Sequence, residues 1–228
     1  MTKKTKLLYI LLISVISFNK PFNNQAQKID NYSNLFTEKD SLYQIEISNT
    51  KNKFHKVNNT VSDSFVIVFN SVLKTFDLEK NKDLFIAQIL VESKACQFYP
   101  DGHKNAGKVL TGSSGEKGIC QILPGAAFNI MKLISYEDKK KMILLGATDF
   151  SNIKTIEQTK IWLSNTNNNI ILYGFIMRYF MNYYNNNVKK SVVAYNTGQP
   201  GLKQYLDTGA TVEKHHYYKA LSLMKSKL

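Results

Sequence analysis

From residue 62 onward the apolar positions recur mostly at helical spacing. In 62–76, SDSFVIVFNSVLKTF, Ser62 and Asp63 supply N-cap chemistry and the apolar residues behind them fall on one side of a helix. The next run, DLFIAQILVES at 83–93, places Phe85, Ile89 and Glu92 at i, i+4 and i+7, hence on one helical face. Pro100 discourages helix beyond it. Residues 99–118 read as a long loop bearing glycine and lysine, and 118–127 as a short apolar stretch in which Pro124 is placed to open a helix. Helices are predicted at 137–148, 154–165, 168–186, 188–198 (stopped by Gly198) and 211–225. Residues 28–62 are polar and read as a linker, with Tyr43, Ile45 and Ile47 alternating as a short strand would. Strand signals are few and no internal repeat is present. The fold class is therefore mainly α, with one domain over 63–228.

Glu92 breaks the pattern. It ends an apolar helix on the face that Phe85 and Ile89 turn inward. Burial disfavours its charged form, and so does the negative end of the helix dipole. A carboxyl held protonated near neutral pH is what a general acid requires. The competing reading is a glutamate that curls out to water or pairs with a lysine.

Composition narrows the setting. The chain has 228 residues, is 43% hydrophobic and carries a net charge of +13. That is enough apolar content for a core. The diffuse positive charge suits an acidic polymer or surface: nucleic acid, anionic lipid or the bacterial wall. MTKKTK followed by a 12-residue apolar run at 7–18 has the layout of a secretory signal, and the run is short for a membrane span. Residues 1–27 are assigned to that signal, and setting their four lysines aside leaves +9. Export argues against intracellular nucleic acid as a partner and points to the periplasm, the cell envelope or the medium. The membrane enters only through the signal segment, if uncleaved.

Cys96 and Cys120 are the only cysteines, and in an oxidising compartment they either pair or stay free. His215 and His216 are adjacent and point to different helix faces, and His55 and His103 stand alone, so no metal site is expected. No cofactor is expected either.

Four segments occur in order: Glu92-Ser93; Gly118-Ile119-Cys120-Gln121-Ile122-Leu123-Pro124; Ala194-Tyr195-Asn196-Thr197-Gly198; and Glu213 with Tyr217 four residues on. Together they resemble the catalytic domain of the soluble lytic transglycosylase family, which has a lysozyme-like fold similar to that of goose-type lysozyme. The resemblance covers roughly 63–225. It implies that Glu92 is the single catalytic acid and base, cleaving the MurNAc–GlcNAc bond of peptidoglycan without water. It further implies that Tyr195 hydrogen-bonds the Glu92 carboxylate, and that Gln121 and Ile122 belong to a segment lining the glycan groove. Ser93 is expected to cap or orient the loop after Glu92. Asn196 either binds substrate or builds a turn, and Tyr217 either flanks the groove or packs the last helix. Peptidoglycan strands are the implied partner, and a secretion or conjugation machine is a further candidate.

The chain also departs from the family's pattern. Cys120 stands where methionine is common, and the stretch between Ser93 and Gly118 is long. Asn169-Ile170-Ile171-Leu172-Tyr173-Gly174 has one residue more than the family's Asn-Ile-x-x-Gly. Asp101 and Glu116 lie in the loop and remain open as a second carboxylate. A second carboxylate would favour a water-using muramidase or chitinase-type hydrolase of the same fold. A non-catalytic wall-binding module is the remaining alternative, and its mark would be loss of the glutamate.

Overall fold

The computed structural model describes residues 38–228, so the expected signal at 1–27 lies outside the described residues. The described chain is mainly helical. Its nine α-helices are α1 (Glu38–His55), α2 (Asp63–Thr75), α3 (Lys82–Ser93), α4 (Pro124–Met131), α5 (Tyr136–Leu144), α6 (Ile156–Trp162), α7 (Thr166–Tyr183), α8 (Val188–Asp207) and α9 (His216–Lys225). Short 3-10 turns precede α3 and α9. None of the described helices is long and apolar enough to cross a membrane.

Helix starts follow side-chain chemistry. Ser62, Ser135, Thr155 and Asn165 each accept a hydrogen bond from a first-turn backbone N–H, and Thr155 with Gln158 forms a reciprocal capping box. Pro124 opens α4, where its missing N–H costs nothing. The helix from Val188 stops at Gly198 as expected, with φ 71° and ψ 164°, and a second helical segment, counted here with it as α8, runs on to Asp207.

The centre of the molecule is α7, with Ile170, Ile171, Leu172, Tyr173 and Met177 fully buried. It packs against α2 on one side and α8 on the other, while α9 lies along α3. The α2–α7 approach depends on Gly174. A Cβ there would strike Val72 Cγ1 and come within 2.9 Å of Phe76 Cδ2.

Residues 38–55 correct the reading of 28–62 as a linker with a strand at 43–47. They are helix α1, and Ile47, Thr50 and Phe54 face inward while Ile45 is exposed. Three alternating residues mimic a strand, but Tyr43, Ile47, Thr50 and Phe54 repeat at helical spacing over a longer span. Phe54 then meets Phe65 and Phe69 of α2 edge-on, at centroid distances of 5.1 and 5.4 Å.

Candidate active site

Helix α3 ends at Ser93 because Lys94 and Ala95 both take left-handed backbone, at φ 55° and 58°. Such positions are unfavourable for residues with a Cβ. They are held by Lys94 N–H donating to the Leu90 carbonyl (3.0 Å), Cys96 N–H to the Ser93 carbonyl (3.1 Å) and Asn58 Nδ2 to the Lys94 carbonyl (3.0 Å). The sharp exit leaves Glu92 half-buried in the last turn of α3.

The Glu92 carboxylate accepts a hydrogen bond from the Tyr217 hydroxyl of α9. Burial pushes the Glu92 carboxyl up from 4.5 to about 7; the Tyr217 bond pulls it down, and the charge of Glu116 pushes it further up. The electrostatic influence of Glu92 also reaches Cys120, Tyr173 and Tyr195, each of which is held above its ordinary value first by burial.

Beside Glu92 runs the turn 117–122, closed by paired hydrogen bonds between Lys117 and Ile122 (2.9 and 3.1 Å). Four side chains from separate parts of the chain take all the backbone groups of Ile119 and Cys120. Gln97 Oε1 accepts from Ile119 N–H (2.8 Å), and Ser93 Oγ donates to the Ile119 carbonyl (2.5 Å). Asn169 Oδ1 accepts from Cys120 N–H (2.9 Å), and the Tyr195 hydroxyl donates to the Cys120 carbonyl (2.6 Å). Gln97 Nε2 continues to the Ser164 carbonyl (3.0 Å) and Asn169 Nδ2 to that of Lys117 (2.9 Å). A segment with no strand neighbour thus meets the requirement that buried backbone groups be paired. Gly118, at φ 72°, lies where a Cβ would press on Gln97 and Asn169.

The expected roles are therefore partly reassigned. Tyr195 was expected on the Glu92 carboxylate; it holds the Cys120 carbonyl, and Tyr217 of α9 holds Glu92. Ser93 is buried and pins the turn, as an orienting residue would. Ile122 is 3% exposed, so its side chain belongs to the core and does not line a groove. Gln121 is half-buried at φ 49°, with Nε2 donating to the Gly118 carbonyl (2.6 Å). Its Oε1 faces Gly112, where a Cβ would also collide with Glu116 Oε2. Asn196 is exposed on α8, two residues before the break at Gly198. The long loop folds back on itself through Tyr99, whose hydroxyl donates to the Thr111 carbonyl (3.0 Å) and whose ring stacks on His103 at 4.5 Å.

No protein-family model, curated protein or solved structure matches the chain.

Both cysteines are free, Cys120 buried and Cys96 accepting from Asn58 Nδ2 (3.4 Å). Among the described residues no group of three or more His, Cys, Asp or Glu is arranged to hold a metal ion. Two concavities lie elsewhere: one of about 260 Å³ along α1 near Lys82, and one of about 520 Å³ between Phe128 and Phe150. Neither reaches Glu92. Glu92 remains the candidate, because its carboxyl is raised to about 7 beside a tyrosine hydroxyl.

The sequence reading passed over Gln88, Gln97 and Asn169 as site residues. Gln88 carried a legible signal, a polar residue one turn before Glu92 in an otherwise apolar helix. Gln97 carried none.

Proposed function

We propose that this protein is an exported peptidoglycan lytic transglycosylase with a lysozyme-like catalytic domain, in which Glu92 acts first as acid and then as base. The observation that carries the reading is the half-buried Glu92 carboxyl, raised to about 7 and bonded to Tyr217. The ordered motifs around it support the same reading. The helical architecture is compatible with it, and the apolar run at 7–18 supports export to the periplasm or cell envelope.

In this reaction Glu92 gives its proton to the glycosidic oxygen as the bond to C1 of N-acetylmuramic acid breaks. The C6 hydroxyl of the same sugar attacks C1, and its proton passes to the Glu92 carboxylate. A 1,6-anhydro ring closes, a free 4-hydroxyl leaves on the neighbouring sugar, and the enzyme returns to its starting state with no water consumed. One carboxyl suffices because the nucleophile is already part of the substrate. A pKa near 7 balances donation against recapture. Tyr217 holds the carboxylate in place between the two transfers. The turn 117–122 is the wall against which the sugar lies, and the glycan strand of peptidoglycan is the partner.

A water-using hydrolase is the second reading, favoured by one observation: the charge of Glu116 is close enough to raise the Glu92 carboxyl. Two carboxylates flanking the scissile bond are the usual equipment of a hydrolase. Glu116 would then activate the water.

Purified peptidoglycan digested with the protein, beside its Glu92→Gln variant, and read by mass spectrometry separates the readings. Non-reducible 1,6-anhydro ends that the variant fails to make are the expected product. Reducing ends would assign the hydrolase and turn attention to Glu116. No product from either protein, with binding to the wall intact, would leave a wall-binding module.

A further inference from the structure

Gln88 lies one helical turn before Glu92 on α3 and is fully buried. A buried primary amide needs partners at both ends. Its Oε1 has one: the hydroxyl of Tyr173, itself fully buried, donates to it at 2.9 Å. In that bond the amide turns Oε1 toward Tyr173 and Nε2 away from it. Its Nε2 is left without a partner of good hydrogen-bond geometry, on the side away from Tyr173. Helix α9, which carries Tyr217, packs along α3, and the Gln88 amide pulls the Tyr217 hydroxyl down against the burial that raises it.

A phenol has one hydrogen. If an amide N–H occupies the lone pair of the Tyr217 oxygen, that hydrogen must point elsewhere, and the acceptor waiting is Glu92. We propose that Gln88 is a positioning residue: its amide, oriented by Tyr173, donates to the Tyr217 hydroxyl and so aims the hydroxyl hydrogen at the Glu92 carboxylate. The chain of donors runs one way, from Tyr173 to Gln88 to Tyr217 to Glu92. The carboxylate stands at its end, and the buried Nε2 that otherwise lacks a partner gains one. The geometry is independent of the reaction; its value for catalysis rests on the reading of Glu92 as the acid and base. Gln88 touches no substrate in this account and acts only through Tyr217.

The other titratable groups acting on or around Glu92 are Glu116 from the loop, Cys120 from the turn, Tyr173 on α7 and Tyr195 on α8. The proposal leaves these in place and changes one bond, which makes it separable.

The test is a carboxyl-carbon NMR titration of Glu92 in the intact protein labelled with 13C-glutamate, the resonance being assigned by its absence in Glu92→Gln. It needs no substrate and no activity, so it stands whether or not the protein cleaves wall. Tyr217→Phe removes the final bond and is expected to raise the titration midpoint by about one unit, the scale of a hydrogen bond to a charged group. Gln88→Leu is expected to raise it in the same direction, by up to that amount. The double variant Gln88→Leu with Tyr217→Phe is expected to titrate like Tyr217→Phe alone, since both substitutions act on one bond. If Gln88→Leu is unstable because the Tyr173 hydroxyl is stranded, Gln88→Leu with Tyr173→Phe leaves that interior apolar and reads the same shift. A Gln88→Leu midpoint equal to wild type while Tyr217→Phe moves it overturns the proposal. So do shifts that add in the double variant, because Gln88 would then act on Glu92 by a route that bypasses Tyr217. If the wall digest succeeds, the alkaline limb of its pH profile is expected to move with the titration.

Discussion

At the scale of the single residue, Glu92 illustrates how position sets chemistry. Its carboxyl is raised from 4.5 to about 7, chiefly by burial. Raising the folded-state value of an acid means that the folded chain keeps a proton which the unfolded chain releases. Between pH 4.5 and 7 stability therefore falls as pH rises; it is level below that window, where both states are protonated, and level above it. The full shift corresponds to about 3 kcal/mol. Gln at position 92 cannot ionise, yet its side-chain oxygen still accepts from Tyr217. Glu92→Gln is thus expected to leave the melting temperature nearly unchanged at pH 4 and to raise it by several degrees at pH 8. Melting curves of both proteins at the two pH values check this, and an equal difference at both would remove the buried charge as its cause. The burial of Glu92 was legible in the sequence because a carboxylate at i+7 on an apolar face is conspicuous. The partner of its carboxyl was not. Tyr195 and Tyr217 both reach the site, and which hydroxyl meets which acceptor depends on how deeply α8 and α9 sit against α3. Spacing along the chain does not encode that depth.

At the scale of the element, the turn 117–122 owes its shape to side chains contributed by α3, the loop after it, α7 and α8. Asn169, like Gln97, makes three bonds, to Cys120 N–H, the Lys117 carbonyl and the Leu163 carbonyl. Asn169→Leu keeps the volume and strands those groups. Unsatisfied buried backbone costs about 1–3 kcal/mol per group, so the loss is expected to reach about 3 kcal/mol in urea unfolding. Slowed exchange at the Ile119 and Cys120 amides should collapse selectively. If protection persists there, the turn is held by its neighbours and not by Asn169. Gly174, five residues along the same helix, works by omission. Gly174→Ala drives a methyl into Val72 and Phe76, and overpacking of that kind costs about 1–3 kcal/mol. A Gly174→Ala melting temperature equal to wild type would mean that α2 and α7 separate freely. The sequence marked Asn169 and Gly174 as a departure in register from the family's pattern. Each nevertheless lies at a close packing point, one against the turn and the other against α2, on opposite flanks of α7. Long periodic helices were legible to within a few residues. The helix at 38–55 was not, because its polar surface outweighs its one apolar stripe.

At the scale of the whole molecule, α1 belongs to the folded unit. If 28–62 were a linker, a chain starting at residue 63 would be the stable domain. The packing argues otherwise. Ile47, Phe54 and Val61 are buried in the common core, and Phe54 is in edge contact with both Phe65 and Phe69. Ion pairs also tie α1 to its neighbours, Lys53 to Asp83 (2.5 Å) and Lys51 to Asp63 (2.7 Å), but these side chains keep about a third or more of their surface in water. Exposed pairs are worth about 0–1 kcal/mol each, whereas truncating a buried phenylalanine costs about 3–5 kcal/mol. Burial is therefore the term that attaches α1. Phe54→Ala is expected to lower unfolding stability by about 3–5 kcal/mol and Lys53→Ala by less than 1. A fragment covering 63–228 should bind a hydrophobic dye and melt well below one covering 38–228, because the faces of Phe65 and Phe69 open to water. The consequence reaches the site. α1 also packs on α3, and the same α3 carries Gln88, Glu92 and Ser93, so losing α1 should loosen the helix that aims the carboxyl. The 63–228 fragment is expected to show a Glu92 titration midpoint moved back toward 4.5, since water admitted to the end of α3 removes the desolvation that raised it. A fragment that melts as the longer one does and keeps a midpoint near 7 would return α1 to the status of an appendage.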